Sequence, residues 1–329
     1  MKSFSLLIKP VSADCNLSCR YCYYQGAGVD PSRTPHRMSP DVLQSLLRSY
    51  MQTQQTIHSM IWHGGEPLLL PGAFYEQAIS LQKRYALQGA RISNSIQTNG
   101  IRVSGELARF MAKYRFVCGV SLDGPAHLHD IYRRTRQGRP THAKVLAGIR
   151  RLAHAGVPVN VLVLVSRANA HAPLEIYRYL KACGFNYIQF IPCVERDACG
   201  RRCDYAISGE QWGAFLLSIF NAWFEKDIGC ISIRLFESIL AKRARGIAID
   251  CQNGDACNRY LVVEYNGDVY PCDFFVRPEY RLGNILENPF EEILTGERYR
   301  RFAAEKTNWP DRCARCRFMD LCMGDCPKF

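Results

Sequence analysis

Cys15, Cys19 and Cys22, in the run DCNLSCRYCYY, stand at C-x3-C-x2-C spacing directly after an apolar stretch, Ser5 to Val11. Three thiolates can hold three corners of a 4Fe-4S cluster, which leaves the fourth iron open to a ligand that is not protein. An open iron is a place for chemistry. A zinc site would bring its fourth Cys or His within a short local spacing, yet the first histidine after Cys22 is His36. Seven further cysteines crowd the carboxyl-terminal part: Cys251, Cys257 and Cys272 as C-x5-C-x14-C, then Cys313, Cys316, Cys322 and Cys326 as C-x2-C-x5-C-x3-C. Alone, the last four would suit a zinc ribbon; beside the first loop and Cys272, iron-sulfur ligation accounts for all of them. Cys118, Cys183, Cys193, Cys199, Cys203 and Cys230 are left as buried or unassigned thiols.

Other candidate residues follow the first loop. Gly64 and Gly65 precede Glu66 and Pro67, placing two glycines where backbone can approach a ligand closely; on its own such a pair is only a turn. Arg133 is a candidate carboxylate partner through the bidentate geometry of guanidinium.

These residues need elements to position them. From 5 to 192 the chain alternates short β-rich runs with amphipathic stretches, the pattern of a parallel sheet built from βα units. Six strands are predicted: Ser5 to Val11, Met60 to Trp62, Ile92 to Gln97, Val117 to Leu122, Val159 to Val165 and Tyr187 to Ile191. Helices are predicted at Pro40 to Met51, Ala73 to Ala86, Ser104 to Lys113, Ala143 to Ala155 and Ala172 to Cys183. Right-handed crossovers in series curl such a sheet toward a partial barrel, with functional loops at the carboxyl ends of the strands. The polar groups obey that rule. The cysteine loop, His63 to Pro67, Gln97 to Gly100, and Ser121 with Asp123 each follow a predicted strand. Beyond Pro192 come a helical stretch, Gly209 to Glu225, and a hairpin, Tyr260 to Tyr265 and Asp268 to Pro271, whose Asn266-Gly267 predicts a type I′ turn. Cys272 lies at its exit.

Composition narrows the classes. With 329 residues, 47% of them hydrophobic, the chain can bury a large core, so its 16 cysteines are not the disulfide scaffold of a small secreted domain. No apolar run reaches the roughly 18 residues of a membrane span, and MKSFSLLIKP lacks the h-region of a signal peptide, so a cytoplasmic protein is expected. The net charge of +12 raises nucleic acid as a partner, but the basic groups are not interleaved with an RNA-binding signature. A solvated basic surface is the expectation, one that could also help hold an anionic cofactor or an acidic polypeptide.

With Tyr21 as its aromatic, the C-x3-C-x-aromatic-C loop resembles that of the radical S-adenosylmethionine (SAM) superfamily. That resemblance implies an α/β fold, a partial (β/α)6 barrel over 1–230, and an open iron that chelates the amino and carboxylate groups of SAM. The reduced cluster then cleaves SAM to a 5′-deoxyadenosyl radical. By position, Gly64, Gly65 and Glu66 would contact the amino group of SAM and Ser121 and Asp123 its ribose or methionine portion, with Gln97, Asn99 and Arg133 facing the same cavity. The cysteine-rich part, 231–329, resembles the SPASM extension, which binds auxiliary 4Fe-4S clusters. Carried over, one cluster takes Cys251, Cys257, Cys272 and Cys326, and the other Cys313, Cys316 and Cys322, one thiolate short of a full set. A truncated form is the expectation there.

The resemblance is strongest to the anaerobic sulfatase-maturating enzymes, carried by LLIKP, CRYCYY, GGEP, QTNG, SLDGP, and YPCDFF followed by RLGNI. It implies oxidation of an active-site Cys or Ser of a sulfatase to Cα-formylglycine, with an electron donor such as flavodoxin or ferredoxin. Asp273 matches the family's proposed general base, and Tyr24 a substrate-pocket position. His63 stands where these enzymes usually carry Gln, as a donor or a second proton acceptor. The alternative is a SPASM-type maturase of a ribosomal peptide, installing a crosslink or an epimerised residue. Such enzymes often carry a precursor-recognition domain, for which there is no room before Ser5.

Overall fold

The computed structural model describes residues 3–24 and 34–329. It divides into two compact units of interleaved segments. Met1–Asp14, Ser32–Ile96 and Ser238–Phe329 form one; Cys15–Pro31 and Gln97–Glu237 form the other.

In the first unit, strands β1 (Ser5–Lys9), β2 (Ile57–Trp62) and β3 (Arg91–Thr98) run parallel. Leu6 and Ile8 of β1 are fully buried, each contributing about 1.5–3 kcal/mol of hydrophobic stabilisation. The crossover helices are α1 (Pro40–Met51) and α2 (Gly72–Tyr85). Helix α1 begins where predicted because the Ser39 hydroxyl accepts from the Val42 N–H and Pro40 needs no partner for a missing N–H. Helix α3 (Gly105–Lys113), in the second unit, starts the same way: Ser104 accepts from the Leu107 N–H.

The second unit carries strands β4 (Val117–Ser121), β5 (Val159–Val165), β6 (Tyr187–Pro192) and β7 (Ser232–Ile233), all parallel. Around them lie α4 (Ala126–Tyr132), α5 (His142–His154), α6 (Pro173–Ala182) and α7 (Gly209–Lys226). A full capping box, Ser208 with Gln211, opens α7. The strands and helices named from periodicity are therefore present, with shifted ends. Strand β1 stops at Lys9 rather than Val11, since Pro10 has no N–H to continue a ladder.

The carboxyl-terminal hairpin, β8 (Tyr260–Glu264) and β9 (Asp268–Tyr270), pairs as expected. Its turn is not type I′. Only Gly267 is left-handed, at φ +89°, and its N–H closes on the Glu264 carbonyl. A type I′ turn needs positive φ at both central residues, and Asn266 is not among the positive-φ residues. The sequence pattern also does not reveal that β8 lies parallel beside β1, in a register that sets Lys9 opposite Glu264. Strand β10 (Gly283–Asn284) then adds antiparallel to β9. Helices α8 (Arg234–Arg245), α9 (Phe290–Thr295), α10 (Glu297–Glu305), α11 (Asp311–Ala314) and α12 (Met319–Cys322) complete the chain. Among the described residues no helix is long and apolar enough to cross a membrane.

The glycines after β2 serve a close approach of backbone to backbone. Gly65 donates to the Ser12 carbonyl and Glu66 to the Asp14 carbonyl, both at 2.8 Å. A β-carbon on Gly65 would sit 2.1 Å from the Asp14 oxygen, and one on Gly64 2.5 Å from that of Ser12. Residues 12–14, which lead into the cysteine loop, are thus seated on this turn. Gly65→Ala is expected to cost about 3 kcal/mol through overpacking that neither carbonyl can relieve, read as a lowered urea midpoint; an unchanged midpoint would contradict the tight seat.

Candidate active site

The cysteine loop is fastened to a neighbouring hairpin in the second unit. The Ser18 N–H donates to the Arg134 carbonyl, the Arg20 N–H to that of Tyr132, and Leu17 bridges to Thr135. The Cys22 N–H closes a turn on the Cys19 carbonyl at 3.0 Å. Cys15, Cys19 and Cys22 pack into one apolar group with Leu17, Tyr21, Cys193 and Ala206. The Cys15 sulfur accepts from the Leu17 N–H at 3.4 Å and from the Asn99 amide at 3.7 Å. That amide also donates to Asn16 at 2.8 Å, and its oxygen accepts from the Ile101 N–H. Burial pushes the Cys19 thiol up to about 11, with Cys22 adding to the rise and Arg133 opposing it. Such a thiol ionises readily only against strong positive charge, which cluster iron supplies.

Asp123 anchors this loop. Its carboxylate accepts from the Leu164 N–H (3.0 Å), from Arg133 Nε (2.8 Å) and from the Tyr21 hydroxyl. Arg133 lies 5.3 Å from the Tyr21 ring centroid. Burial disfavours the guanidinium charge, but Asp123, Tyr21 and Cys19 outweigh it and hold Arg133 charged. The circuit closes through His129: its Nδ1 accepts from the Asp123 N–H, its Nε2 meets the Thr141 hydroxyl at 3.0 Å, and that hydroxyl donates to the Arg133 carbonyl. Both carboxylate oxygens of Asp123 are therefore engaged by protein. Gln97 donates to Ser121 at 3.5 Å, and the Gln97 amide oxygen lies 2.0 Å from where a Gly119 β-carbon would stand. Tyr24 is buried against the ring of Tyr23.

The first unit holds the remaining candidates. Glu66 is fully buried, and one of its oxygens caps the 67–69 turn by accepting from the Leu68 N–H. Lys9 is buried between two carboxylates, 2.6 Å from Glu264 and 3.5 Å from Asp273. Burial opposes its charge, yet the two carboxylates raise its pKa overall. His63 belongs to the same neighbourhood. Burial lowers its pKa, Asp273 opposing and Lys9 adding to the effect. Because the Gly64 N–H donates to Nδ1 at 2.7 Å, the neutral ring carries its proton on Nε2 and offers a donor there.

The cysteine-rich part sorts its thiols into two sets. Burial raises the Cys251 thiol to about 11, with Cys326 and Cys257 adding to the rise. It raises that of Cys272 to about 12, Cys326 again adding. The Tyr260 hydroxyl lies 3.1 Å from the Cys272 sulfur. Cys322 instead feels Cys313. Lys306 ties the first set together, donating to the carbonyls of Cys251, Gln252 and Asp325. Cys326 thus lies near Cys251, Cys257 and Cys272. Among the described residues no three His, Cys, Asp or Glu side chains are placed to hold a single ion; a cube of iron and sulfur spreads its thiolates over separate corners.

The geometry thus brings Cys15, Cys19, Cys22, Tyr21, Asn99, Asp123 and Arg133 together in one unit, and His63, Gly64, Gly65, Glu66 and Asp273 are placed in the other. Sequence reasoning missed Lys9, Glu264, His129 and Thr141. The available signal was a charged residue ending an apolar strand, in LLIK and again in LVVE.

Residues 10–180 match the model of the radical SAM superfamily, and residues 251–317 that of the SPASM iron-sulfur cluster-binding domain. The α/β fold with these two parts, expected from the sequence, is therefore that of a radical SAM protein carrying a SPASM domain. Over 99% of its length the chain is 39% identical to the serine-type anaerobic sulfatase-maturating enzyme of Bacteroides thetaiotaomicron, covering 83% of that protein. It is 31% identical to the cysteine-type enzyme of Clostridium perfringens, covering 89%. The solved structure of native anSMEcpe with bound AdoMet and the Cp18Cys peptide superposes with a TM-score of 0.91 at 30% identity, covering 99% of this chain and 90% of that one. Streptococcus suis SuiB, 14% identical with a TM-score of 0.70, shares the fold. This chain belongs to the family of anaerobic sulfatase-maturating enzymes.

Two outcomes follow from the buried charges. His129 is held down to about 4 by burial, with Asp123 opposing that fall and Arg133 adding to it, so between pH 6.5 and 4 the unfolded chain binds a proton that the folded chain does not. Stability must fall as pH drops through that window, by roughly 3 kcal/mol from this group. His129→Gln should flatten the urea midpoint across it. Lys9→Met, which leaves Glu264 and Asp273 as like charges without their counterion, should cost about 3–5 kcal/mol. Glu264→Gln keeps a cation for Asp273 and should cost less.

Proposed function

We propose that this chain oxidises a Cys or Ser in a sulfatase polypeptide to Cα-formylglycine under anaerobic conditions. The observation that carries the reading is Asp273: a buried carboxylate directly after ligand Cys272, beside a buried Lys9, in a chain related to sulfatase-maturating enzymes over almost its whole length.

In this reading Cys15, Cys19 and Cys22 hold the cluster that binds SAM; Cys251, Cys257, Cys272 and Cys326 hold one auxiliary cluster, and Cys313, Cys316 and Cys322 contribute to a second. When bound, these groups supply a carbon-centred radical that removes hydrogen from the substrate Cβ and a sink for the electron then released. Gly64, Gly65, Glu66, Gln97, Asn99 and Ser121 are assigned to binding SAM. Asp123, Arg133 and Tyr21 serve it by fixing the loop that carries Cys19. Asp273 takes the proton of the substrate thiol or hydroxyl, with the Lys9 ammonium 3.5 Å away. His63 donates from Nε2 toward the substrate, as an amide would, and Tyr24 lines the pocket. A thiol substrate ends as an aldehyde after water replaces sulfur; an alcohol substrate ends there directly. A cytoplasmic setting, an electron donor such as flavodoxin or ferredoxin, and a boundary near 230 complete the reading.

The test uses the full chain, reconstituted anaerobically with iron and sulfide and reduced by dithionite, with SAM and a short peptide carrying C-x-P-x-R or S-x-P-x-R. Mass spectrometry should find the cysteine peptide changed by loss of sulfur and a pair of hydrogens and gain of oxygen, or the serine peptide lighter by a pair of hydrogens. Asp273→Asn should lower product by about 10²-fold or more while deoxyadenosine still forms. Deoxyadenosine with no altered peptide in the wild type would overturn the substrate assignment, and full activity in the variant would remove Asp273 as base.

A further inference from the structure

The surface around the cysteine loop is strongly basic in a way the reaction above does not use. Arg20, within the loop, is exposed, as are Arg134, Arg136 and Arg139 on the hairpin that straps it. The Arg136 guanidinium donates to the Cys15 carbonyl at 2.8 Å. Gly138, at φ +73°, forms the tip of that hairpin. From Arg20 the patch continues through an ion pair to Asp204, whose carbonyl meets Arg167 at 3.5 Å. Arg167 and Arg202 then line an open cavity of about 420 Å³ with Cys203, Asp204 and Gln211. Among the described residues the acidic groups on this face are Asp204, Asp197, Glu210 and the half-buried Glu195 beside Cys193 and Tyr205. Asp204 is taken by Arg20, Asp197 by Arg201 at 2.9 Å, and Glu210 lies near Arg202. Six arginines thus lie on the loop, its strap and the neighbouring cavity, and among the described residues Arg134, Arg136, Arg139 and Arg167 form no ion pair.

We propose that this arginine-rich face is the docking surface for an acidic one-electron donor protein of the flavodoxin or ferredoxin kind. The inference rests on the radical SAM reading of the loop. In that reading the donor gives up one electron and the loop's cluster gains it. Tunnelling falls steeply with distance, so the donor must approach the ligand loop, and Ser18 and Arg20 are its exposed part. A like-signed patch there steers an acidic partner and raises its encounter rate by about 10–10³-fold at low salt. Guanidinium groups suit the task, since they stay charged at every working pH and fork onto carboxylates. Arg136 binds the backbone of Cys15 itself, so the docking face and the ligand loop move as one.

The test compares the reconstituted wild type with an Arg139→Glu/Arg202→Glu double variant, two residues outside the cofactor and substrate assignments. Binding of an acidic flavodoxin and an acidic ferredoxin is measured by calorimetry across ionic strength, and cluster reduction by stopped-flow. Photoreduced 5-deazariboflavin, an uncharged small reductant, is the control. The wild type should bind at least one donor with affinity that falls as salt rises. The double variant should lose about tenfold or more in affinity and reduction rate at low salt, with deazaflavin reduction unchanged. Salt-independent binding, or a double variant that binds both donors as well as the wild type, would overturn the proposal. So would a raised KM for an acidic sulfatase peptide with donor binding intact, which would assign the face to substrate. Failure of the wild type to form deoxyadenosine with deazaflavin would instead strike the radical SAM reading itself.

Discussion

The buried ion pair of Asp123 with Arg133 is the constraint on which the cysteine loop depends. A short non-helical loop has no ladder of its own to hold three thiols on one spot, so its shape must come from neighbours. Arg133 reaches both the carboxylate and the surroundings of Cys19, and Tyr21 bonds the same carboxylate from within the loop. A buried pair of this kind brings specificity of geometry rather than net stability. The cost of burying it is reduced because both carboxylate oxygens accept hydrogen bonds, one from Leu164 and the other from Arg133 and Tyr21, while His129 with Thr141 closes the circuit through the backbone. The loop's lead-in, residues 12–14, is fixed by a different device, the carbonyls that accept from Gly65 and Glu66.

A second buried charge arrangement governs the other set of candidates. Lys9 and Glu264 close neighbouring parallel strands in register, so the residue that ends β1 is bound to the cysteine-rich part of the chain by a 2.6 Å ion pair. Asp273 shares that lysine at 3.5 Å, so one buried cation serves two carboxylates. His63, with Nδ1 occupied by the following N–H, is limited to donating.

Much of this was legible in the sequence because the signals are local. The period of the βα units, Ser39-Pro40 and Ser104 as helix starts, and the three-cysteine spacing each act over a few residues. What was not legible depends on residues distant in the chain. At the GGEP glycines the contact that excludes a side chain is with residues 12–14, about fifty positions away, and no local spacing encodes it. The Asn266-Gly267 turn differs because the bonded span is set by the pairing of Val263 with Val269, not by the dipeptide. Asp123 stands out in the sequence as a carboxylate after a strand, and only the fold brings Tyr21, Arg133 and Leu164 to it.

The central claim is that Cys15, Cys19 and Cys22 leave one cluster iron open for SAM. The direct measurement is electron-nuclear double resonance on the reduced, reconstituted protein with SAM labelled by ¹⁵N at its amino group. The account predicts a hyperfine coupling from that nitrogen to the cluster spin, absent when Cys15, Cys19 and Cys22 are all replaced by alanine while the signal of the auxiliary set remains. No coupling in the wild type, or one that survives the triple replacement, would contradict it.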